Sequence, residues 1–364
     1  MRKLATIRTI SDIRPIQGAD RIEVAQVDGW ECVVKKDEFH VGEKIVYVEV
    51  DSIMPEKPEF EFLRDRKFRV RTIKLRKQVS QGLVLPLTIL PTGTSVNEGD
   101  DVTETLGIKK YDPQAEQERM LLACADDNRI KQHGKLFQFM MRFRWFRRAF
   151  GTKPKKKGFP AWIVKTDEER IQNKTIMFEK ERENGTNFTV TEKIDGQSAT
   201  YFLEKVGRKK FEFGVCSRNI RLGKPDNSSY WNIAIKMKIK DVLQELIGEY
   251  DRIVLQGEII GPGIQKNKYK RSEYDFYAFN LIFPDHKCST QEIAELLNPR
   301  GIKTVPLLEE AKTLPDTIAD LVEYAKGKSV LLREQKREGV VMRSMERDIS
   351  FKVINPDFLL ANDE

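Results

Sequence analysis

Through the first hundred residues, apolar and polar positions alternate with a period of two between turn residues, so the chain reads as a run of short strands. RIEVAQVDGWECVVKK (21–36) carries two alternating runs on either side of Asp28-Gly29, the pattern of a β-hairpin. KIVYVEVDSIMP (44–55) predicts a third strand ended by Pro55, KFRVRTIKLR (67–76) a fourth, and QGLVLPL (81–87) a last one after Gly82. About five short strands in ~90 residues, with little helix between them, predict an OB-type β-barrel.

From 101 to 160 the period lengthens. EQERMLLACADDNRIKQHGKLFQFMMRFRWFRRAF (116–150) is amphipathic and broken only at Gly134, and it stops at the Gly/Pro/Lys-rich GTKPKKKGFP. Beyond it, FTVTEKI, SATYFLEK, KKFEFGVCS, RIVLQGEII, YDFYAFNLI, GVVMRS and ISFKVI read as strands. NIAIKMKIKDVLQELIGEY (232–250) and TQEIAELLNPRG (290–301) read as helices, the second capped by Ser289 or Thr290. Strands in groups with few helices predict an α+β protein built on antiparallel sheets, not a doubly wound fold. The expected division is an OB-like domain over 1–105, a helical connector and basic linker over 106–158, and a catalytic sheet domain over 159–364.

Composition narrows the class. A chain of 364 residues predicts more than one domain, and 40% hydrophobic with 33% charged residues fits a soluble globular protein. No apolar stretch approaches the roughly 20 residues a membrane helix needs. The N-terminus shows no signal peptide. Cys32, Cys124, Cys216 and Cys288 are scattered, without a C-x-x-C pair or nearby histidine, which argues against zinc and disulfides. A cytoplasmic or other reducing compartment is expected. Sixty-four basic against 56 acidic residues give a net charge of +8, which favours polyanion partners without proving one.

The charge is uneven. RFRWFRRAFGTKPKKK (142–157) interleaves Arg and Lys with Phe143, Trp145, Phe146 and Phe150, a mixture suited to phosphates and bases. Its first half also reads as an amphipathic helix with solvated arginines, so phosphate contact is assigned to the lysine run. Lys67, Arg69, Arg71, Lys74 and Arg76 are mostly two apart, which places many of them on one strand face. That face would contact nucleic acid or protect a solvated edge, and both readings stay open.

Neither G-x-G-x-x-G nor G-x-x-x-x-G-K-[ST] occurs, so no Rossmann or P-loop cradle holds a nucleotide. The chemistry lies elsewhere. TEKIDGQSAT (191–200) places Lys193 at the end of an alternating run, with Asp195 two residues on and Gly196 permitting a sharp turn. K-x-D-G by itself is common and, taken alone, reads better as a charged turn. A lysine nucleophile must be a neutral amine, so it needs burial or nearby cations, for which Arg218 and Lys352 are available. Glu258 and Glu338 each stand beside a glycine at the edge of an apolar strand. Singly they read as strand-end salt bridges; with Asp195 they would form a hard-oxygen site for hydrated Mg²⁺. Phe279 has the surroundings of a core residue and would serve a nucleotide only as a stacking plane.

Read in order, these segments resemble the collinear motifs of the covalent nucleotidyltransferases, the superfamily of ATP-dependent ligases and mRNA capping enzymes. Lys193-Ile194-Asp195-Gly196 resembles the nucleophile motif, Ser217-Arg218-Asn219 the next, and Gln256-Gly257-Glu258 the third. Phe276-Tyr277-Ala278-Phe279-Asn280 resembles the aromatic segment that sandwiches the base, Glu338-Gly339-Val340-Val341 the fourth motif, and Phe351-Lys352-Val353 the fifth. Six short motifs in order are far more specific than any one. The fifth departs from the family pattern of two lysines two apart, since Lys352 is flanked at that spacing by Ser350 and Ile354.

The resemblance implies roles. Lys193 would be the catalytic nucleophile and Lys352 would hold the α-phosphate. Arg218 would contact sugar and phosphate, Glu258 the ribose or metal water, and Phe279 the base. Glu192 would face the adenine through its backbone carbonyl, and Asp195, Glu258 and Glu338 would organise metal. The implied cofactors are ATP and Mg²⁺ or Mn²⁺.

GADRIEVAQVDGWECVV and the strand after it also resemble OB modules of tRNA-binding proteins. Capping enzymes and most DNA ligases carry their OB domain after the fifth motif, whereas here the OB-like module comes first. That order, with FPAWIVKTDEERIQN (159–173) ahead of the catalytic sheet, resembles the small RNA ligase branch of the Deinococcus and Naegleria type. KTDEERIQN also reads as a helix start capped by Thr166 or Asp167.

The expected activity is ATP-dependent sealing of 3′-OH and 5′-phosphate RNA ends, in particular nicks, through lysyl-AMP and adenylylated RNA. The expected partner is RNA, with no membrane association and a monomeric state; the N-terminal module would grip the strand around the break. The alternatives are a DNA ligase, a capping guanylyltransferase and, from another class, a non-catalytic RNA-binding protein.

Overall fold

A computed structural model describes residues 3–112, 139–140, 143, 158–208, 210–223, 227–344 and 346–362. The expected connector at 106–158, except 106–112, 139–140, 143 and 158, lies outside the described residues, and so does the basic aromatic run at 142–157 apart from Phe143. The chain forms two compact units. One comprises Met1–Asp112, Glu168–Lys193 and Leu307–Glu364; the other comprises Pro113–Asp167 and Ile194–Pro306. No helix among the described residues is long and apolar enough to cross a membrane.

The first unit begins with the curled sheet of an OB-type module. Strands β1 (Ala5–Pro15), β2 (Ile22–Val27), β3 (Trp30–Lys35) and β4 (Lys44–Val48) precede the short β5 (Ser52–Ile53). Then come β6 (Thr72–Leu75), β7 (Gln78–Gln81), β8 (Leu83–Pro86) and β9 (Lys109–Lys110). The five-stranded order is β3-β2-β1-β4-β8. The predicted hairpin is β2–β3, turning through Asp28 in the left-handed region (φ 51°) and Gly29. The central strand bends the sheet: Ala5–Thr9 pair with β4 and Ile10–Pro15 with β2, with a register shift between Ile10 and Asp12. Such a bulge lets one strand serve both halves of a curled sheet.

β4 is buried on both faces. Ile45 and Tyr47 face a core with Trp30, Cys32 and Val84, while Val46 and Val48 face one with Phe60, Leu63 and Phe68. This second core explains where the expected strand at 67–76 gives way. Pro58–Arg66 form a 3-10 helix, Lys67 and Phe68 turn through positive φ (53° and 58°), and only Thr72–Leu75 are extended. The turn delivers Phe68 and Val70 to the outer face of β4, so burial overrides the alternation of KFRVRTIKLR.

After helix α1 (Thr175–Glu183), β10 (Phe188–Lys193) ends this stretch of the unit. The second unit then holds β11 (Gln197–Gly207), β12 (Lys210–Cys216), β13 (Arg252–Ile260), β14 (Asp275–Ile282) and β15 (Lys303–Thr304). Their order is β12-β11-β13-β14-β15, antiparallel except for β14 with β15. Helices α2 (Ser229–Lys236), α3 (Ile239–Leu246) and α4 (Thr290–Leu297) pack on one face around Tyr201, Leu203, Leu255 and Phe276. The single helix expected at 232–250 is two, separated at Lys238, which has φ 48°. α4 starts at Ser289 with a full capping box to Glu292, as the sequence predicts. The opposite face of the sheet carries Phe202 and Val254, covered by Ile163 and Trp162.

The chain returns to the first unit with β16 (Leu307–Lys312), α5 (Ile318–Ala325), β17 (Gly339–Ser344), β18 (Ile349–Ile354) and α6 (Pro356–Asn362). The sheet order β16-β10-β17-β18 places β10 and β18 on either side of β17. Phe188, Val190, Val340, Met342, Phe351 and Val353 form its core face, packed with Phe178 of α1 and Leu321 of α5.

Candidate active site

In the first unit, strand alternation decides which side chains leave the core. Val190, Val340 and Val353 point into it, so Lys193, Val341 and Lys352 project from the opposite face. Register fixes their spacing: Lys193 pairs with Gly339, Thr191 with Val341, and Val341 in turn with Lys352. The two lysines therefore lie on one sheet face, on the strands flanking β17 and two residue positions apart in register.

Glu338 enters β17 beside them, and Lys193 Nζ donates to its Oε2 at 2.7 Å. The side chains are 26% and 14% exposed, so this pair is shielded from most solvent screening. The Glu338 carbonyl accepts from the Asn355 amide at 2.8 Å, and the Asn355 side chain donates to the Arg337 carbonyl at 3.0 Å. Gly339 is needed here, because a Cβ would stand 2.1 Å from the Val353 carbonyl oxygen. The strands carrying Glu338 and Lys352 meet too closely for any side chain.

Glu192 points the other way. Its buried carboxylate accepts from Ser329 Oγ at 2.5 Å and from the Val330 amide at 2.7 Å. Burial pushes its carboxyl above the usual glutamate range, opposed by those two donors and by Arg337. The side chain anchors the 329–330 loop, while the backbone stays in the ladder opposite Val340.

The stretch 168–174 braces the edge of this sheet. The Lys352 amide donates to the Glu169 carbonyl at 2.8 Å, and Arg170 bridges Lys352 in parallel. Ser350 Oγ donates to Glu168 at 2.6 Å, and Ile354 is 3% exposed, so neither position flanking Lys352 presents a cation. The same stretch docks on the OB module: Trp30 Nε1 donates to Asn173 at 2.7 Å, and Asn173 donates to Glu49 at 2.6 Å. The expected cap at Thr166 or Asp167 is replaced by extended chain, with α1 starting only at Thr175.

In the second unit, the site residues sit at irregularities of the sheet. Arg218 is presented by a tight turn after β12, closed by the Ser217 amide donating to the Ile220 carbonyl at 3.0 Å. Its guanidinium is hydrogen-bonded to Asp167. Glu258 faces away from the helices, opposite Ser198, whose hydroxyl lies 3.0 Å from that of Thr166. Phe279 is the extra residue of a β-bulge, because Gln256 pairs with Asn280 and Gly257 with Ala278. It is half-buried between buried neighbours, unlike the core residue its context suggested. A bulge re-aims a side chain that regular pairing would place elsewhere.

Asp195 follows Lys193 by two residues but belongs to this second unit. Lys268 Nζ lies 2.5 Å from its Oδ2, and its amide donates to the Tyr269 hydroxyl at 2.9 Å. Gly196 lets the turn lie on β13, since a Cβ would come within 2.4 Å of the Ile259 carbonyl oxygen. Sequence reading missed Lys268 and Tyr269. The signal was GPGIQKNKYKRS (261–272), a Gly/Asn/Lys-rich loop directly after Glu258's strand.

Among the described residues, metal-ligand types gather in one cluster, His286, Cys288 and Glu292. Glu292 is occupied by the α4 capping box, and burial pushes the Cys288 thiol up to about 11. Cys216, next to the Arg218 turn, is likewise pushed up by burial, to about 12, and is no nucleophile.

Comparison with known proteins places the chain in a family. A family model for RNA ligase matches residues 186–354, and one for an OB-fold domain matches residues 4–87. A Naegleria gruberi RNA ligase solved with PPi is 34% identical, with TM-score 0.80, covering 100% of this chain and 99% of that one. A lysine-to-alanine mutant of that ligase, solved with ATP and Mn, is 34% identical with TM-score 0.79 and 99% coverage of both chains. A glutamate-to-alanine mutant with AMP and Mn is 33% identical with TM-score 0.79, covering 100% of this chain and 99% of that one. No curated protein sequence matches the chain.

Proposed function

We propose a specific activity from one premise: the chain belongs to the RNA ligase family. The activity is ATP-dependent joining of 3′-OH and 5′-phosphate RNA ends, with nicks as the substrate, through lysyl-AMP and adenylylated RNA. The observation that carries it is Lys193, fixed at a strand end with Glu338 at 2.7 Å and sharing a sheet face with Lys352. The Naegleria ligase mutants add support. Besides one lysine that lies earlier in that chain, the residues altered in them are a lysine, an aspartate, two glutamates and a second lysine. They follow the same order as Lys193, Asp195, Glu258, Glu338 and Lys352, with identical spacing of the first pair and of the last pair. That ligase was solved with ATP, AMP and PPi, the substrate, transferred group and leaving group of this chemistry.

Lys193 attacks the α-phosphorus of ATP in line with the departing pyrophosphate, forming a P–N bond as the bond to the pyrophosphate oxygen breaks. Attack requires the neutral amine, so the Lys193–Glu338 pair opens and the amine gives up a proton to water, which its 26% exposure admits. Lys352 and Arg218 hold phosphate oxygens, Glu258 engages the ribose, and Phe279 stacks on the adenine, which faces the Glu192 carbonyl. The AMP then passes to the RNA 5′-phosphate, and the 3′-OH displaces it.

Asp195, Glu258 and Glu338 are carboxylates, the donor chemistry that suits a hydrated divalent ion, and two of them already hold a cation. Bound there, Mg²⁺ or Mn²⁺ would neutralise charge developing on the phosphates. Residues 1–105 are assigned to nucleic-acid binding, 106–158 to connection and 159–364 to nucleotidyl transfer. The test is sealing of matched nicked duplexes of RNA and DNA with ATP and Mg²⁺. Sealing of the RNA nick with an AMP-capped RNA intermediate is expected; sealing confined to DNA contradicts the assignment.

A further inference from the structure

The loop after β13 carries an ion pair that the reaction scheme does not use. Lys268 Nζ sits 2.5 Å from Asp195 Oδ2, with both side chains mostly buried at 14% and 15% exposure. Removing two charges from water to this degree costs several kcal/mol per ion unless their attraction returns it. The loop is also held in an uncommon conformation. Gln265, Lys266, Asn267 and Lys270 have positive φ (45°, 57°, 49° and 51°), a region that residues with side chains rarely adopt. Asn267 clamps the loop by donating to the Arg271 carbonyl at 2.8 Å and accepting from the Arg271 amide at 3.0 Å.

Holding the 195–196 turn does not require Lys268. Tyr269, 4% exposed, already accepts the Asp195 amide through its hydroxyl, and Gly196 lies directly on the β13 backbone. What the loop adds at Lys268 is a positive charge placed on the Asp195 carboxylate.

We propose that Lys268 is the built-in counter-cation of Asp195, and that it and the divalent ion occupy that carboxylate in turn. The inference rests on the reading of Asp195 as a metal-site residue. In the nucleotide-free protein Lys268 neutralises Asp195 and lowers the apparent metal affinity by the fraction of time the pair is closed. Arrival of metal releases the ammonium. Lys268 is thus a positioning residue that sets when metal is taken up, and it forms no bond to the reacting atoms.

The experiment is Mn²⁺ binding to the full-length, nucleotide-free protein, read from the free-ion paramagnetic resonance signal. If the pair is closed about nine-tenths of the time, Lys268→Met binds Mn²⁺ about tenfold more tightly than wild type. Lys268→Arg, which keeps the charge, stays within about twofold, and Asp195→Asn binds more weakly with or without Lys268→Met. A loop that was merely structural would not tighten metal binding when damaged. Unchanged or weaker binding by Lys268→Met, with Asp195→Asn still impaired, overturns the counter-cation role and leaves the Asp195 reading standing. Asp195→Asn with wild-type affinity overturns the Asp195 reading itself. A second measurement needs no variant: Mn²⁺ should raise the reductive methylation of Lys268 in the wild-type protein, and unchanged reactivity refutes its release.

Discussion

The two sheets that carry the candidate site residues, one in each unit, are built on opposite rules. In β16-β10-β17-β18, Lys193 and Lys352 occupy ordinary strand positions in the unbroken registers of β10 with β17 and β17 with β18, and Glu338 directly precedes that ladder. In β12-β11-β13-β14-β15, Arg218 sits on a turn, Phe279 on a bulge, and Asp195 on a turn held by a strained loop. Bond-forming chemistry tolerates little displacement, so placing Lys193, the proposed nucleophile, on a regular ladder fixes it through many backbone hydrogen bonds. Groups that recognise a base or sugar need a direction that pleated strands do not offer, and irregular backbone supplies it.

Substitutions can break this contrast, starting with the regular sheet. Glu338→Gln keeps the shape of the Lys193 partner and removes its charge. Lysine adenylylation should fall by about 10²–10³, with thermal stability little changed. The expected loss comes from Glu338's proposed place at the metal, so rates within a few-fold of wild type would contradict that place.

Gly339→Ala comes next. Its Cβ would stand 2.1 Å from the Val353 carbonyl, forcing β17 away from β18. A stability loss of ~1–3 kcal/mol is expected in denaturant melts, with adenylylation reduced alongside.

The irregular sheet should respond differently. Phe279→Ala removes a stacking plane of about 1–3 kcal/mol, so the KM for ATP should rise about tenfold or more while the melting temperature barely moves. Phe279→Tyr should restore binding. A large stability loss instead would mean that Phe279 is a core residue.

The smallest effect is a pH dependence at Glu192. Its folded-state carboxyl is raised by burial, so the folded protein binds more protons than the unfolded chain just above the ordinary glutamate value. Stability from this group is therefore present at low pH and lost as pH rises through the folded value. Glu192→Gln removes that loss, so melts of the variant should gain on wild type as pH rises above the ordinary glutamate value. A constant difference across the range would contradict the shift.

The same contrast explains how much could be read from the chain. Residues on regular strands were legible: FTVTEKI, GVVMRS and ISFKVI alternate, and their alternation already separates Lys193 and Lys352 from Val190 and Val353. The hairpin at Asp28-Gly29 and the α4 capping box were equally local signals. What stayed hidden depends on distant contacts. No period marks the bulge at Phe279, which exists only where β14 meets β13. Lys268 and Asp195 are 73 residues apart and are joined by a loop that breaks every strand pattern. The strand expected at 67–76 is shortened to Thr72–Leu75 for the same reason, because an outer core on β4 recruits Phe68 and Val70.

The central claim is that Lys193 is the attachment point for AMP. Incubation with ATP labelled at the α-phosphate and Mg²⁺, followed by denaturing electrophoresis, tests it directly. The account predicts label that survives denaturation in the wild type, is released by acid as expected for a P–N bond, and is absent from Lys193→Ala. Label persisting on Lys193→Ala, or a wild type that never carries it, would contradict the account.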